Sequence, residues 1–173
     1  KHGCIEMAHG SGGRAMAQLI NQLFLAAFDN EFLRPMNDQA SFPVFNGRMV
    51  MSTDSHVITP LFFPGGDIGS LSVHGTINDV AMSGAKPCYL AASFILEEGF
   101  PLSDLKRIAD SMAQAARAAR VPIVTGDTKV VEKGSGDGVF ITTTGIGMVP
   151  DGINISSENA RPGDKILVSG TLG

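Results

Sequence analysis

Strand-like and helix-like segments alternate along this chain, and a glycine-flanked connection joins the last two strands. Together they predict an α+β fold, a mixed β-sheet with helices packed on one face. Two stretches carry apolar residues at three-and-four spacing, and four short apolar runs read as strands. The Gly134–Gly138 connection has the length and composition of a hairpin loop. It is expected to bring the strands on either side of it together, which argues against an all-parallel sheet.

Each element has its own signal. His9-Gly-Ser-Gly-Gly-Arg14 is a flexible loop that opens onto Met16, Leu19, Ile20, Leu23, Phe24, Ala27 and Phe28, the apolar stripe of an amphipathic helix. Residues 34–47 hold two prolines, Asn37, Asp38, Asn46 and Gly47, and read as a loop or edge connection. Met49 to Thr53 is a strand ending at Asp54, and Pro64-Gly65-Gly66 is a turn. Ile68, Leu71, Ser72, Gly75 and Ala81 suggest a helix of small residues that packs close to its neighbours. Tyr89 to Leu96 is a strand halted at Glu97-Glu98-Gly99, where the two acids read as a solvated strand end. Pro101 and Ser103 start the second clearly patterned helix, whose narrow buried face is Leu105, Ile108, Ala109, Met112, Ala115, Ala116 and Ala119. Val121 to Thr125 is a buried strand running into Gly126-Asp127, and Val139 to Met148 is the last strand of the unit. No internal repeat is visible.

Composition bounds the function. With 173 residues, 43% of them hydrophobic and 17% charged, the chain can bury a sizeable core. A net charge of −4 with scattered basic residues argues against a nucleic-acid surface. No apolar run approaches the roughly 20 residues of a membrane span, and no signal peptide precedes the first periodic segment. Cys4 and Cys88 form no CxxC pair and read as two buried or free thiols of a reduced cytoplasm. The chain opens on Lys1, and the turn Arg161-Pro-Gly-Asp164 launches a strand-like run, Lys165 to Ser169. Residues 1–155 are therefore expected to form one domain, and 156–173 a linker and the first strand of a second, missing one.

Three acidic segments carry the chemistry. Asp54 follows Ser52-Thr53 and reads as a metal ligand or as the cap of the next element. Asn78-Asp79 sits in a stretch of helical spacing where neither residue favours a helix, which points to a polar site. Thr125-Gly126-Asp127-Thr128-Lys129 places an acid, a hydroxyl and an ammonium at a strand's carboxyl end, or else forms a β-turn. Carboxylates of this kind are hard-oxygen ligands that Mg²⁺ uses one or two at a time beside phosphate oxygens. The loop of Gly10, Ser11, Gly12 and Gly13 offers free N–H groups to phosphates, or is a plain mobile loop. It is neither a Walker A nor a GxGxxG motif. His2, His9, His56 and His74 lack zinc-ligand spacing and read as solvated or singly hydrogen-bonded, with His9 able to touch a ligand from inside the glycine loop.

Taken together, His9–Arg14, Ser52-Thr-Asp-Ser55, Pro60-Leu-Phe-Phe-Pro-Gly-Gly66, Gly75-Thr-Ile-Asn-Asp-Val-Ala-Met-Ser-Gly-Ala85, Phe94-Ile-Leu-Glu-Glu-Gly99 and Ile123-Val-Thr-Gly-Asp-Thr-Lys-Val130 resemble the amino-terminal part of the HypE family of hydrogenase maturation proteins. That family is similar in fold to aminoimidazole ribonucleotide synthetase, selenophosphate synthetase and thiamine-monophosphate kinase. The resemblance implies a homodimer formed through the sheet, with ATP and Mg²⁺ in a cleft at the interface. It implies Asp54, Asp79 and Asp127 as metal ligands and Asp79 and Lys129 as catalytic residues. Asn78, Asp127, Thr128, Lys129 and the Gly10–Gly13 loop would bind the nucleotide. The implied reaction is ATP-dependent dehydration of a carboxamide, carried on the sulfur of a carboxyl-terminal cysteine, to a thiocyanate that supplies cyanide to a [NiFe]-hydrogenase centre. The implied partners are HypF, the carbamoyl donor, and the HypC–HypD complex, the cyanide acceptor. With no acceptor cysteine at its carboxyl end, this stretch is expected to fold and dimerise, bind nucleotide weakly and not turn over. Two other readings stand beside this one. The first is a dimerisation module for maturation partners. The second is a synthetase of the selenophosphate type, against which Ile5-Glu6 after Cys4 counts, because that type wants a lysine there.

Overall fold

The structure, a computed structural model, describes residues 3–37, 39–43, 46–168 and 170–171. Strand β1 is Arg48–His56, β4 Lys86–Glu97, β5 Ile123–Val131 and β6 Val139–Val149, and they form one sheet in the order β1-β6-β4-β5. β6 is antiparallel to both β1 and β4, whereas β4 and β5 are parallel. The mixed sheet is as expected, but the reason differs. The 132–138 loop is not a hairpin, because the chain leaving β5 passes β4 and β6 inserts between β1 and β4. Glu97 explains part of this. Its carboxylate accepts hydrogen bonds from the Gly134 and Gly138 N–H groups, at 2.6 and 3.0 Å, and so ties the loop to the end of β4. The acid expected to be solvated is instead a fastener.

Helices α3, Ile68–Ala81, and α4, Leu102–Ala119, cover one face of the sheet. Apolar alternation along β4 drives this packing. Leu90, Ala92, Phe94 and Leu96 are buried under the helices, and the residues between them turn away. α3 lies close because it carries small residues. A Cβ at Gly69 would meet the Ile108 carbonyl oxygen at 2.5 Å, and β6 receives the helix at Gly145 and Gly147. The Pro64-Gly65 turn joins the two-residue strands β2, Phe62–Phe63, and β3, Gly66–Asp67. Gly65, at φ +92°, takes the conformation that the third position of a type II turn requires. Asp67 then caps α3, its side chain accepting from Ser70 N–H at 3.0 Å.

The amino-terminal helix departs from its expected form. It runs as α1, Arg14–Leu19, then a π-helical segment, Ile20–Leu25, then a last turn α2, Ala26–Phe28. Within the widened segment Phe24 packs on Phe94 of β4, with ring centroids 4.7 Å apart. At the carboxyl end Lys165–Val168 form no strand, and Ile166 and Leu167 are 95% and 90% exposed. The run has no neighbouring strand to pair with, and Ser169 of the expected strand lies outside the described residues. Asp29, just past α2, is held below the usual carboxylate range by hydrogen bonds from Arg34.

Candidate functional site

β1 does not stop at Asp54. It continues to His56, so the acid lies within the strand. Alternation aims Val50, Ser52, Asp54 and His56 beneath α3, while Met49, Met51, Thr53 and Ser55 point to the uncovered face. α3 crosses this polar row at Gly75. A Cβ there would lie 3.1 Å from His56 Nε2 and 3.4 Å from Asp54 Oδ2, so only glycine lets the helix come this close undisturbed. His56 Nε2 itself lies 3.3 Å from Asp54 Oδ2. One turn further on, the Ser52 hydroxyl donates to Asp79 Oδ2 at 3.4 Å, with Asn78 exposed beside it. Asp54 and Asp79 are thus on adjacent elements at one edge of the sheet, both in reach of solvent. Two carboxylates and a hydroxyl are the oxygen donors that suit Mg²⁺, which leaves its other positions to water and phosphate.

The second group lies at the opposite edge. Thr125–Lys129 is not the carboxyl end of a strand, because β5 stays paired with β4 as far as Val131 opposite Glu97. The register shifts where Leu90 faces Ile123 and Ala91 faces Thr125, so Val124 is an inserted bulge residue. A Cβ at Gly126 would sit 2.1 Å from the Ala92 carbonyl oxygen, which makes glycine obligatory beside this bulge. Beyond it Thr128 turns under the helices and is buried, while Asp127 and Lys129 alternate outward and are exposed. Asp127 Oδ1 accepts from Thr128 N–H at 2.8 Å, and its Oδ2 lies 3.2 Å from Lys129 Nζ.

The glycine loop joins this second group. Met7–Gly10 is a 3₁₀ turn, and a Cβ at Gly10 would meet Val130 Cβ at 2.9 Å, so the loop leans on β5 next to Thr128. His9 is not free on one side, since its Nδ1 accepts from Glu6 N–H at 3.0 Å. Ser11 donates its hydroxyl to the Ala8 carbonyl at 3.0 Å. Between the amino-terminal helix and β5 opens a cleft of about 440 Å³, walled by Ile20, Phe24 and Phe28 on one side and Thr125–Thr128 on the other. The apolar stripe read from sequence as core is therefore also a cleft wall. Its periodicity could not separate the two roles.

Asp54 and Asp79 do not line that cleft. β1 and β5 are the two edge strands, three inter-strand steps or about 14 Å apart. Among the described residues no three His, Cys, Asp or Glu side chains gather within one chain to hold a metal. The expected aspartate trio is therefore split into a pair and a single acid. The two groups share a level, however. Asp54, Thr143, Ala92 and Gly126 form one row across the sheet, and Ser55, Thr142, Ser93 and Asp127 form the next. His56 is the site neighbour that sequence reasoning missed. Its one signal was its place two residues after Asp54, on the same face of a strand.

Residues 36–149 match the N-terminal domain of the AIR synthase related proteins. All of the chain aligns with half of the carbamoyl dehydratase HypE of Cupriavidus necator at 75% identity over 174 residues. A crystal structure of the hydrogenase maturation protein HypE in complex with ATP superposes with a TM-score of 0.88 and 54% identity, covering 91% of this chain and 47% of that one. A structure of a HypE–HypF complex matches at a TM-score of 0.67 and 57% identity, over 84% of this chain and 47% of that one. The chain spans about half the length of the curated relatives it matches.

Proposed function

The chain belongs to the AIR synthase related proteins, matching their N-terminal domain, and from that premise we propose that it is the ATP- and Mg²⁺-binding half of a carbamoyl dehydratase of the HypE type. The observation that carries this reading is the pair Asp54 and Asp79, brought to one sheet edge by the contact of α3 and β1 at Gly75. Asp79 lies three residues before the helix C-cap, Met82, where the helix dipole disfavours an anion. A bound divalent cation would offset that cost. When bound, Mg²⁺ supplies charge neutralisation for the phosphates.

The rest of the site comes from a second copy. The uncovered sheet face packs on its twin and sets the β5 edge of one chain beside the β1–α3 edge of the other. Asp54 and Asp79 then grip the metal, while the partner's Asp127, Thr128 and Lys129 with its glycine loop hold the phosphates. The 54%-identical relative carries ATP, which supports the ligand, and the HypE–HypF complex supports HypF as a partner, which in this reading delivers the carbamoyl group. The HypC–HypD complex takes the cyano group. In the reaction the carboxamide oxygen of a cysteine-borne carbamoyl group would attack the γ-phosphorus of ATP and displace ADP; phosphate would then leave carbon with that oxygen, and the two amide protons would pass to water, giving the thiocyanate. Positioning and electrostatics supply most of the catalysis in such phosphoryl transfers. Residues 1–155 form the nucleotide-binding domain in this scheme, and 156–173 lead into the next. The protein works in the cytoplasm, where its two cysteines stay reduced; among the described residues no helix is long and apolar enough to cross a membrane. A fluorescent ATP analogue should bind only with Mg²⁺ and be lost in Asp79→Ala. Metal-independent binding that survives the substitution would overturn the assignment.

A further inference from the structure

We infer that His56 is a positioning residue for Asp54, fixing the carboxylate so that its free oxygen meets the metal of the Mg²⁺–nucleotide complex; this rests on Asp54 being a metal ligand, as proposed above. The His56 ring is only 7% exposed, yet its Nδ1 is buried with no hydrogen-bond partner among the described residues. An unsatisfied buried polar atom is costly, and an apolar side chain at this place would avoid that cost. What the ring gains is on its other side, where Nε2 lies 3.3 Å from Asp54 Oδ2 under the space left by Gly75. The Nε2 edge of the ring bears on that one carboxylate oxygen. Asp54 Oδ1 makes no hydrogen bond among the described residues and stays available. Outer partners of this kind orient a ligand that would otherwise sample several rotamers.

The test compares His56→Phe, His56→Gln and Asp54→Asn by titrating Mg²⁺ against binding of a fluorescent ATP analogue, with thermal melting alongside. His56→Phe should need about 10–100-fold more Mg²⁺ for half-saturation, yet melt no lower than the parent, because it removes the orphaned nitrogen. His56→Gln, which offers an N–H at a similar reach, should recover most of the lost affinity. Asp54→Asn should weaken metal dependence at least as much as His56→Phe. If Asp54→Asn shifts the Mg²⁺ requirement but His56→Phe does not, the positioning role is wrong and the metal site stands. A wild-type Mg²⁺ requirement in Asp54→Asn overturns the metal site itself. A lower melting point in His56→Phe with an unchanged Mg²⁺ requirement makes the ring merely structural.

Discussion

Gly75 shows how much one absent methyl group decides. In the middle of a helix glycine costs about 1 kcal/mol relative to alanine, so Gly75→Ala should hold or raise the melting temperature. The added Cβ, 3.1 Å from His56 Nε2 and 3.4 Å from Asp54 Oδ2, must displace one of them. Mg²⁺-dependent binding of an ATP analogue should therefore fall, by about tenfold for a loss near 1.4 kcal/mol. A variant that melts higher and binds as before would show that the close crossing serves packing alone. Sequence spacing located Asp54, Asn78 and Asp79, because acids in small-residue surroundings stand out there. It read His56 only as solvated or singly hydrogen-bonded, since a histidine carries no mark of its burial until the strand's reach past Asp54 is known.

At the scale of elements, α4 was legible nearly to the residue, because its apolar face repeats at helical spacing and Pro101 precedes it. Its end was not legible. Arg120 closes the helix in the left-handed region at φ +59°, a place where glycine is usual and an arginine is strained. Arg120→Gly should stabilise the fold by about 1–2 kcal/mol, read as a shifted urea midpoint with an unchanged slope. A lower midpoint would mean that the arginine side chain contributes more than its backbone costs. β5 and β6 teach a different lesson. Their patterns identified two strands, but nothing local in Gly134–Gly138 tells a hairpin from a crossing. Part of that choice comes from the Glu97 carboxylate, 37 and 41 residues from the amides it binds. The π-helical segment was hidden for a similar reason, because the need to seat Phe24 on Phe94 is a tertiary one.

For the whole molecule, the decisive feature is the sheet face that no helix covers. Met49 and Met51 are 62% and 70% exposed on it, and the hydroxyls of Thr53 and Thr144 pair at 2.9 Å, as do those of Ser55 and Thr142 at 3.0 Å. An apolar and hydroxyl-bearing face of this kind suits a self-complementary contact between two copies. Met51→Arg should leave the circular dichroism spectrum unchanged and convert the protein to a monomer in sedimentation. A dimer that persists would move the interface elsewhere. Sequence reasoning could name the three aspartates but not foresee their separation, because only the strand order puts Asp127 on the far edge from Asp54 and Asp79; under the proposed function a second copy would supply it. Mixing two inactive variants tests this directly. Asp54→Asn and Asp127→Asn should each lose Mg²⁺-dependent binding of an ATP analogue. Unfolded together and refolded, they should recover wild-type affinity at about a quarter of the sites, because each mixed dimer of a two-fold pair rebuilds one intact site. If the mixture binds no better than either variant alone, the site is not shared between chains and the account fails.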